Sequence, residues 1–175
     1  MKKIITVIAS LLLMVLIGEI IFTIWNKYTI REDFKKVKSN FETVNNFLID
    51  YYEKNCEEEC NRDRYMDFFV KITYSDTQEL KDLELSTYNI KLEINDELEK
   101  SLITINNYYQ HKVSGFDDPI YLIKVDEQTI EYKADANPPM VIYYRNTKPS
   151  KKEIHENKLE HLSDNWYKTK YEHHL

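Results

Sequence analysis

Ile30 to Tyr51 reads IREDFKKVKSNFETVNNFLIDY, and its apolar side chains recur at Ile30, Phe34, Val37, Phe41, Val44, Leu48 and Tyr51. Steps of four and three put all of these on one stripe of an α-helix. Such a stripe can be a coiled-coil seam or the inner face of a helix lying on a sheet. Aromatic rings at core positions make a poor zipper, so the stripe is read as packing on the protein's own sheet. Thr29-Ile30-Arg31-Glu32 has the form of a capping box, which predicts that this helix starts afresh at Thr29.

Upstream lies a different kind of segment. Residues 4 to 25 read IITVIASLLLMVLIGEIIFTIW, with Glu19 as the single charge. As a helix the run would be about 33 Å long, enough for the hydrocarbon core of a bilayer. A cleaved signal peptide is the rival reading, because Lys2 and Lys3 precede the run. Leu16-Ile17-Gly18 is a poor cleavage site, however, and apolar residues resume at Ile20-Ile21-Phe22. No cysteine follows for a lipid anchor. The expectation is an uncleaved N-terminal transmembrane helix, Ile4–Trp25, in contact with the lipid bilayer, so that residues 1–28 form the anchor and 29–175 a soluble domain. Glu19 has two readings: a residue near the outer end of the span, or a pairing group within an assembly.

Orientation is contested within the sequence. Lys2 and Lys3 favour a cytoplasmic N-terminus, whereas Lys27, Arg31, Lys35, Lys36 and Lys38 follow the span. A short Lys-headed tail before a span is the pattern of a signal anchor, so the domain is expected outside the cytoplasm.

Downstream of the stripe, Asn55 to Asp63 is a polar stretch, read as a loop. Met66, Phe68, Val70, Ile72 and Tyr74 alternate with mostly polar neighbours and predict a strand. Tyr88, Ile90, Leu92 and Ile94 do the same, with Ser75 to Leu85 as the connection. Asp96-Glu97-Leu98-Glu99 predicts a helix start, and Leu98, Leu102, Ile105 and Tyr109 its buried face, with His111 to Gly115 closing it. Strands are expected at Ile120–Val125, Thr129–Ala134, Met140–Arg145 and Trp166–Tyr171, with Pro138-Pro139 marking an edge or crossover. Ser150 caps a short helix that includes Ile154, Leu159 and Leu162. The fold class is α+β: one antiparallel sheet of about five to six strands with helices packed on one face.

The 175 residues are 42% hydrophobic and 31% charged, with a net charge of −6. That balance argues against disorder and against a nucleic-acid partner. Gly18 and Gly115 are the only glycines, so no phosphate-cradling loop exists. Cys56 and Cys60 are the only cysteines. Their spacing fits neither a structural zinc site nor a redox C-x-x-C; with the domain expected outside the cytoplasm, a small Cys56–Cys60 disulfide is expected, with free thiols and a metal site as the alternatives. The flanking glutamates disfavour a reactive thiolate. Glu53, Glu57, Glu58, Glu59 and Asp63 read as a solvated acidic loop, not a calcium site.

His111, His155, His161, His173 and His174 form no catalytic motif. Catalytic, cofactor-binding and metal residues are therefore expected to be none, and the chain is expected not to be an enzyme. The pairs Tyr51-Tyr52, Tyr108-Tyr109 and Tyr143-Tyr144 could turn rings outward as interaction surface, but tyrosine's preference for strands and an AT-rich codon usage account for their abundance and are the preferred reading. The composite expectation is a bacterial, single-pass, extracytoplasmic membrane protein displaying a binding domain for an unidentified protein partner, of envelope or immunity type. A membrane-tethered enzyme with a dispersed site and a structural assembly subunit are the alternatives.

Overall fold

A computed structural model describes residues 2–60, 64–74, 80–88, 90–110, 119–134 and 141–169. The chain is a mixed α+β protein with one antiparallel sheet of 8 strands and helices against it. Helix α1 runs Lys2–Glu59. The strands are β1 (Met66–Tyr74), β2 (Leu80–Thr87), β3 (Ile90–Lys91), β4 (Leu122–Val125), β5 (Thr129–Lys133), β6 (Val141–Tyr144), β7 (Leu159–Ser163) and β8 (Trp166–Thr169). Helix α2 is Asp96–Tyr108 and α3 is Lys151–Glu156. The sheet order is β3-β2-β1-β4-β5-β6-β8-β7.

The stripe from Ile30 does what its spacing predicts. Phe34, Phe41, Val44 and Leu48 are wholly buried in the main core. The Phe41 ring packs edge-on to Tyr132 of β5 at 4.9 Å and to Trp166 of β8 at 5.1 Å. Further along, Tyr51 meets Phe68 of β1 at 5.8 Å. Helix α1 therefore crosses the sheet from the β8 side to β1. Helix α2 lies beside it, and Tyr108 packs on both Phe34 and Phe41.

The start of this helix is not where the capping box places it. Helix α1 passes through Thr29 without a break, and the Thr29 hydroxyl donates to the Trp25 carbonyl at 2.9 Å. A threonine can satisfy itself this way inside a helix, so the apolar run and the stripe share one axis. The end also lies later than expected. Helix α1 continues to Glu59, because nothing from Asn55 onward breaks it.

The register keeps one face of the sheet apolar: Phe68 pairs with Ile123, Ile123 with Tyr132, and Tyr132 with Val141. This face holds α1 and α2. Among the described residues, the other face is covered at one end, where Ile154 of α3 packs on Ile142, Tyr144, Leu159 and Tyr167. The expectation of helices on one face alone is thus corrected. A short helix seals a second, smaller cluster over β6, β8 and β7.

The strand count is corrected as well. Alternation in Tyr88–Ile94 yields only the two-residue β3, and the long partner of β1 is β2, which buries Leu83, Leu85 and Thr87. Strand β7 occupies the stretch assigned to a helix by Leu159 and Leu162. Helix α2 begins one residue early: Asn95 is its cap, accepting from the Leu98 amide at 2.8 Å. The Ser150 capping box is present, with Ser150 and Glu153 exchanging bonds. The expected helix end at His111–Gly115, the Pro138-Pro139 interruption and the end of the last strand lie outside the described residues.

Candidate functional site

The N-terminal part of α1 is set apart by its surroundings. Leu13, Met14, Ile20, Phe22, Trp25 and Tyr28 are each more than half exposed. Successive residues on a helix turn about 100°, so Ile20, Ile21 and Phe22 face three different ways. This is an apolar rod on every side, not an amphipathic one. Cover begins at Ile30, which is 9% exposed. Among the described residues, no helix is long and apolar enough to cross a membrane. Side chains are described from Leu13, and the run Ile4–Trp25 begins upstream of them.

Arg31, Lys35, Lys36 and Lys38 after this rod are engaged. Lys35 pairs with Glu32 at 2.6 Å and Lys36 with Asp33 at 2.7 Å. Lys38 bridges Asp164 at 2.7 Å and Glu42 at 3.2 Å. The hydrogen bond to the acidic partner is the main cause that raises each lysine above its usual range. The Arg31 Nε donates to the His161 carbonyl at 3.0 Å, which blocks part of the outer edge of β7.

At the other end of α1, Cys56 and Cys60 are joined by a disulfide, with Cα atoms 4.6 Å apart. A regular helical turn would hold them near 6 Å. Cys60 lies just past the last helical residue, although its amide still donates to the Cys56 carbonyl at 3.2 Å. The bridge is one of several ties at this end. The Tyr52 hydroxyl donates to the Arg64 carbonyl at 2.9 Å, and Arg64 pairs with Glu127 at 3.1 Å. Arg145 pairs with Glu53 at 2.6 Å and donates to the Asp126 carbonyl at 2.9 Å. Together they hold the helix end to the β4–β5 turn. A bridged pair offers neither a thiolate nucleophile nor a metal ligand. No metal-holding group of three or more His, Cys, Asp and Glu occurs among the described residues.

The third feature is the uncovered part of the second sheet face. Phe69 on this face and Tyr88 beside it are large and exposed; the pairing of Phe68 with Thr87 and of Thr87 with Ile90 turns the exposed Ile90 to the opposite face. The rings of Phe69 and Tyr88 meet edge-on at 6.4 Å. Beside them, Lys124 stands 4.0 Å over the Tyr65 ring, and burial pushes the Asp67 carboxyl up. Tyr88 has φ 43°, the left-handed region that a bulky side chain rarely adopts. It occupies the first position of the two-residue turn between paired Thr87 and Ile90. Mirror-image hairpin turns demand that φ and favour Asn or Gly.

The tyrosine pairs serve packing. Tyr108 and Tyr109 are both buried. Tyr143 packs on the main core and Tyr144 in the smaller cluster, because that end of the sheet is covered on both faces. The exposed ring that matters, Tyr88, belongs to no pair. Its signal was Tyr88-Asn89 between two alternating runs, a two-residue turn in disguise. Of the histidines, His161 stacks on Tyr167 at 5.1 Å and its Nε2 lies 3.0 Å from the Asp164 carbonyl. His155 is exposed on α3. His111, His173 and His174 lie outside the described residues.

Comparison with known protein families, curated proteins and solved structures finds no match for this chain.

Proposed function

We propose that this protein is a single-pass membrane protein, anchored by Ile4–Trp25, whose α+β domain stands outside the cytoplasm and acts as a non-catalytic binding module. The observation that carries the reading is the apolar rod of α1. Its described apolar side chains between Leu13 and Tyr28 are exposed and face several directions, while the same helix becomes a core element from Ile30. An exposed surface of that size and composition needs a non-aqueous environment or a partner. Trp25 and Tyr28 stand where aromatic side chains collect at a membrane interface.

Two further features support the outside orientation. Lys35, Lys36 and Lys38 after the rod are paired with Glu32, Asp33 and Asp164. The Cys56–Cys60 bridge belongs to an oxidising compartment. The binding role rests on the Phe69 and Tyr88 pair, an aromatic surface held out by a strained turn.

Alkaline carbonate washing of membranes, followed by protease shaving of intact cells, tests this reading. The chain should stay in the membrane fraction, and the domain should be cut from outside. Release into the wash removes the anchor; protection of the domain in intact cells reverses the orientation and moves the partner to the cytoplasm.

A further inference from the structure

Helix α1 meets the strands in the order of the sheet. Arg31 donates to the His161 carbonyl of β7, and Phe34 packs on Trp166 of β8. Phe41 then packs on Tyr132 of β5, and Tyr51 on Phe68 of β1. From Arg31 to Tyr51 the helix rises about 30 Å. From β7 to β1 the sheet spans five strand spacings, about 24 Å. Most of that rise is spent crossing strands, so the apolar rod leaves the sheet over its β7 edge.

This course sets the depth of each strand. For a rod standing in a bilayer, β7 is the strand nearest the lipid and β3 the furthest. Trp25 lies six residues before Arg31, about 9 Å along the axis. With Trp25 at the interface, the β7 edge lies at the outer margin of the headgroup layer, which is about 5–8 Å thick on each side.

The edge carries cations on both faces of the sheet. Arg31 is exposed on the α1 side, held by a carbonyl oxygen that has no full charge to cancel its own. Lys151 and Lys152 are exposed on α3, which packs over β6, β8 and β7 from the other side. Lys148 is exposed in the connection before α3, where its charge reaches Asp164 of the β7–β8 turn. The described acids here are already engaged. Glu32, Asp33 and Asp164 pair with Lys35, Lys36 and Lys38. Glu156 lies 3.8 Å from Lys152 and Glu160 3.7 Å from Lys168, while Glu153 accepts from the Ser150 amide. Among the described residues, Arg31, Lys148 and Lys151 form no ion pair of their own. A chain of net charge −6 thus turns surplus positive charge toward the bilayer.

We infer, building on the reading of Ile4–Trp25 as a membrane span, that Arg31, Lys148 and Lys151 make the β7 edge a docking surface for the phosphates of anionic phospholipids in the same bilayer. Each cation near such a surface gains from its negative potential. The domain then has a second, electrostatic attachment beside its anchor, and gathers anionic lipid around the span.

The test uses the full-length chain in phosphatidylcholine vesicles. The probe lipid carries pyrene on an acyl chain and either a phosphatidylglycerol or a phosphatidylcholine headgroup. Energy transfer from tryptophan, with Trp25 as the interfacial donor, should report about threefold enrichment of the phosphatidylglycerol probe. Molar salt should abolish it, because bulk ions screen exposed charges. Arg31→Gln with Lys148→Gln and Lys151→Gln should also abolish it. Lys148→Glu with Lys151→Glu, which leaves the Arg31 bond to β7 in place, should turn enrichment into depletion. Both variants should keep the Cys56–Cys60 bridge and the thermal unfolding of the parent chain. Equal transfer from the two probes overturns the inference. So does enrichment that survives both variants, since Lys2, Lys3 and Lys27 would then be its source. Carbonate release of the chain would overturn the span reading and this inference together. Retention with equal transfer would overturn the inference alone.

Discussion

The Tyr132 hydroxyl donates to Asn45 Oδ1 at 2.6 Å, joining the middle of α1 to the middle of the sheet inside the main core. Both residues are buried, so neither can fall back on water. Tyr132→Phe leaves the Asn45 oxygen without this donor, and an orphaned buried acceptor costs about 1–3 kcal/mol. Urea unfolding of the two proteins, with unchanged slope, measures it. A difference below about 0.5 kcal/mol would mean that the oxygen finds another donor.

Alkaline pH should unfold the protein through its buried phenols. Burial holds Tyr132 well above the ordinary tyrosine value, and burial followed by the charges of Asp33 and Glu160 raises Tyr108. A raised value means that the folded state keeps the proton. Stability is then complete below about pH 10 and falls as pH rises beyond it, by ~1.4 kcal/mol per unit for each group. The melting temperature should drop between pH 9 and pH 11, and Tyr132→Phe should shrink the drop.

The disulfide should matter little to the fold. Cys56 and Cys60 are four positions apart, and so short a loop removes little freedom from the unfolded chain. Cys60→Ser should cost no more than about 2 kcal/mol. Thiol alkylation of the unfolded wild-type chain should add no label before reduction and two labels after it. Labelling without reductant would show open thiols.

Tyr88 should be a residue that stability alone would not choose. At φ 43° its ring brings strain, and asparagine tolerates that region. Tyr88→Asn should raise stability by up to about 1 kcal/mol in urea unfolding. It should also remove the exposed half of the Phe69 contact. A clear loss of stability would mean that the ring serves packing and would take away a support of the binding role.

The parts of the fold that were legible are those where one face is buried continuously. The Ile30–Tyr51 stripe, the Met66 strand and the β4–β5 hairpin have periodicities that one core decides. Two failures have physical causes. Thr29 reads as a cap, yet its hydroxyl is satisfied by the Trp25 carbonyl one turn back. Leu159 and Leu162 read as one helix face, yet β7 shifts register between His161 and Ser163 and sends them to different clusters. The candidate surfaces were less legible. The Phe69–Tyr88 contact joins neighbouring segments that no spacing rule connects.

That unbroken helix also fixes how the domain is carried. No glycine, proline or cap lies between Trp25 and Ile30, so there is no joint about which the domain could swivel. For a chain held as proposed, its orientational freedom is that of the span itself. A partner in the same bilayer meets a surface already turned to a narrow range of angles. It loses less rotational entropy on docking than a freely tethered domain would require, so that modest contacts at the Phe69 and Tyr88 pair go further toward association.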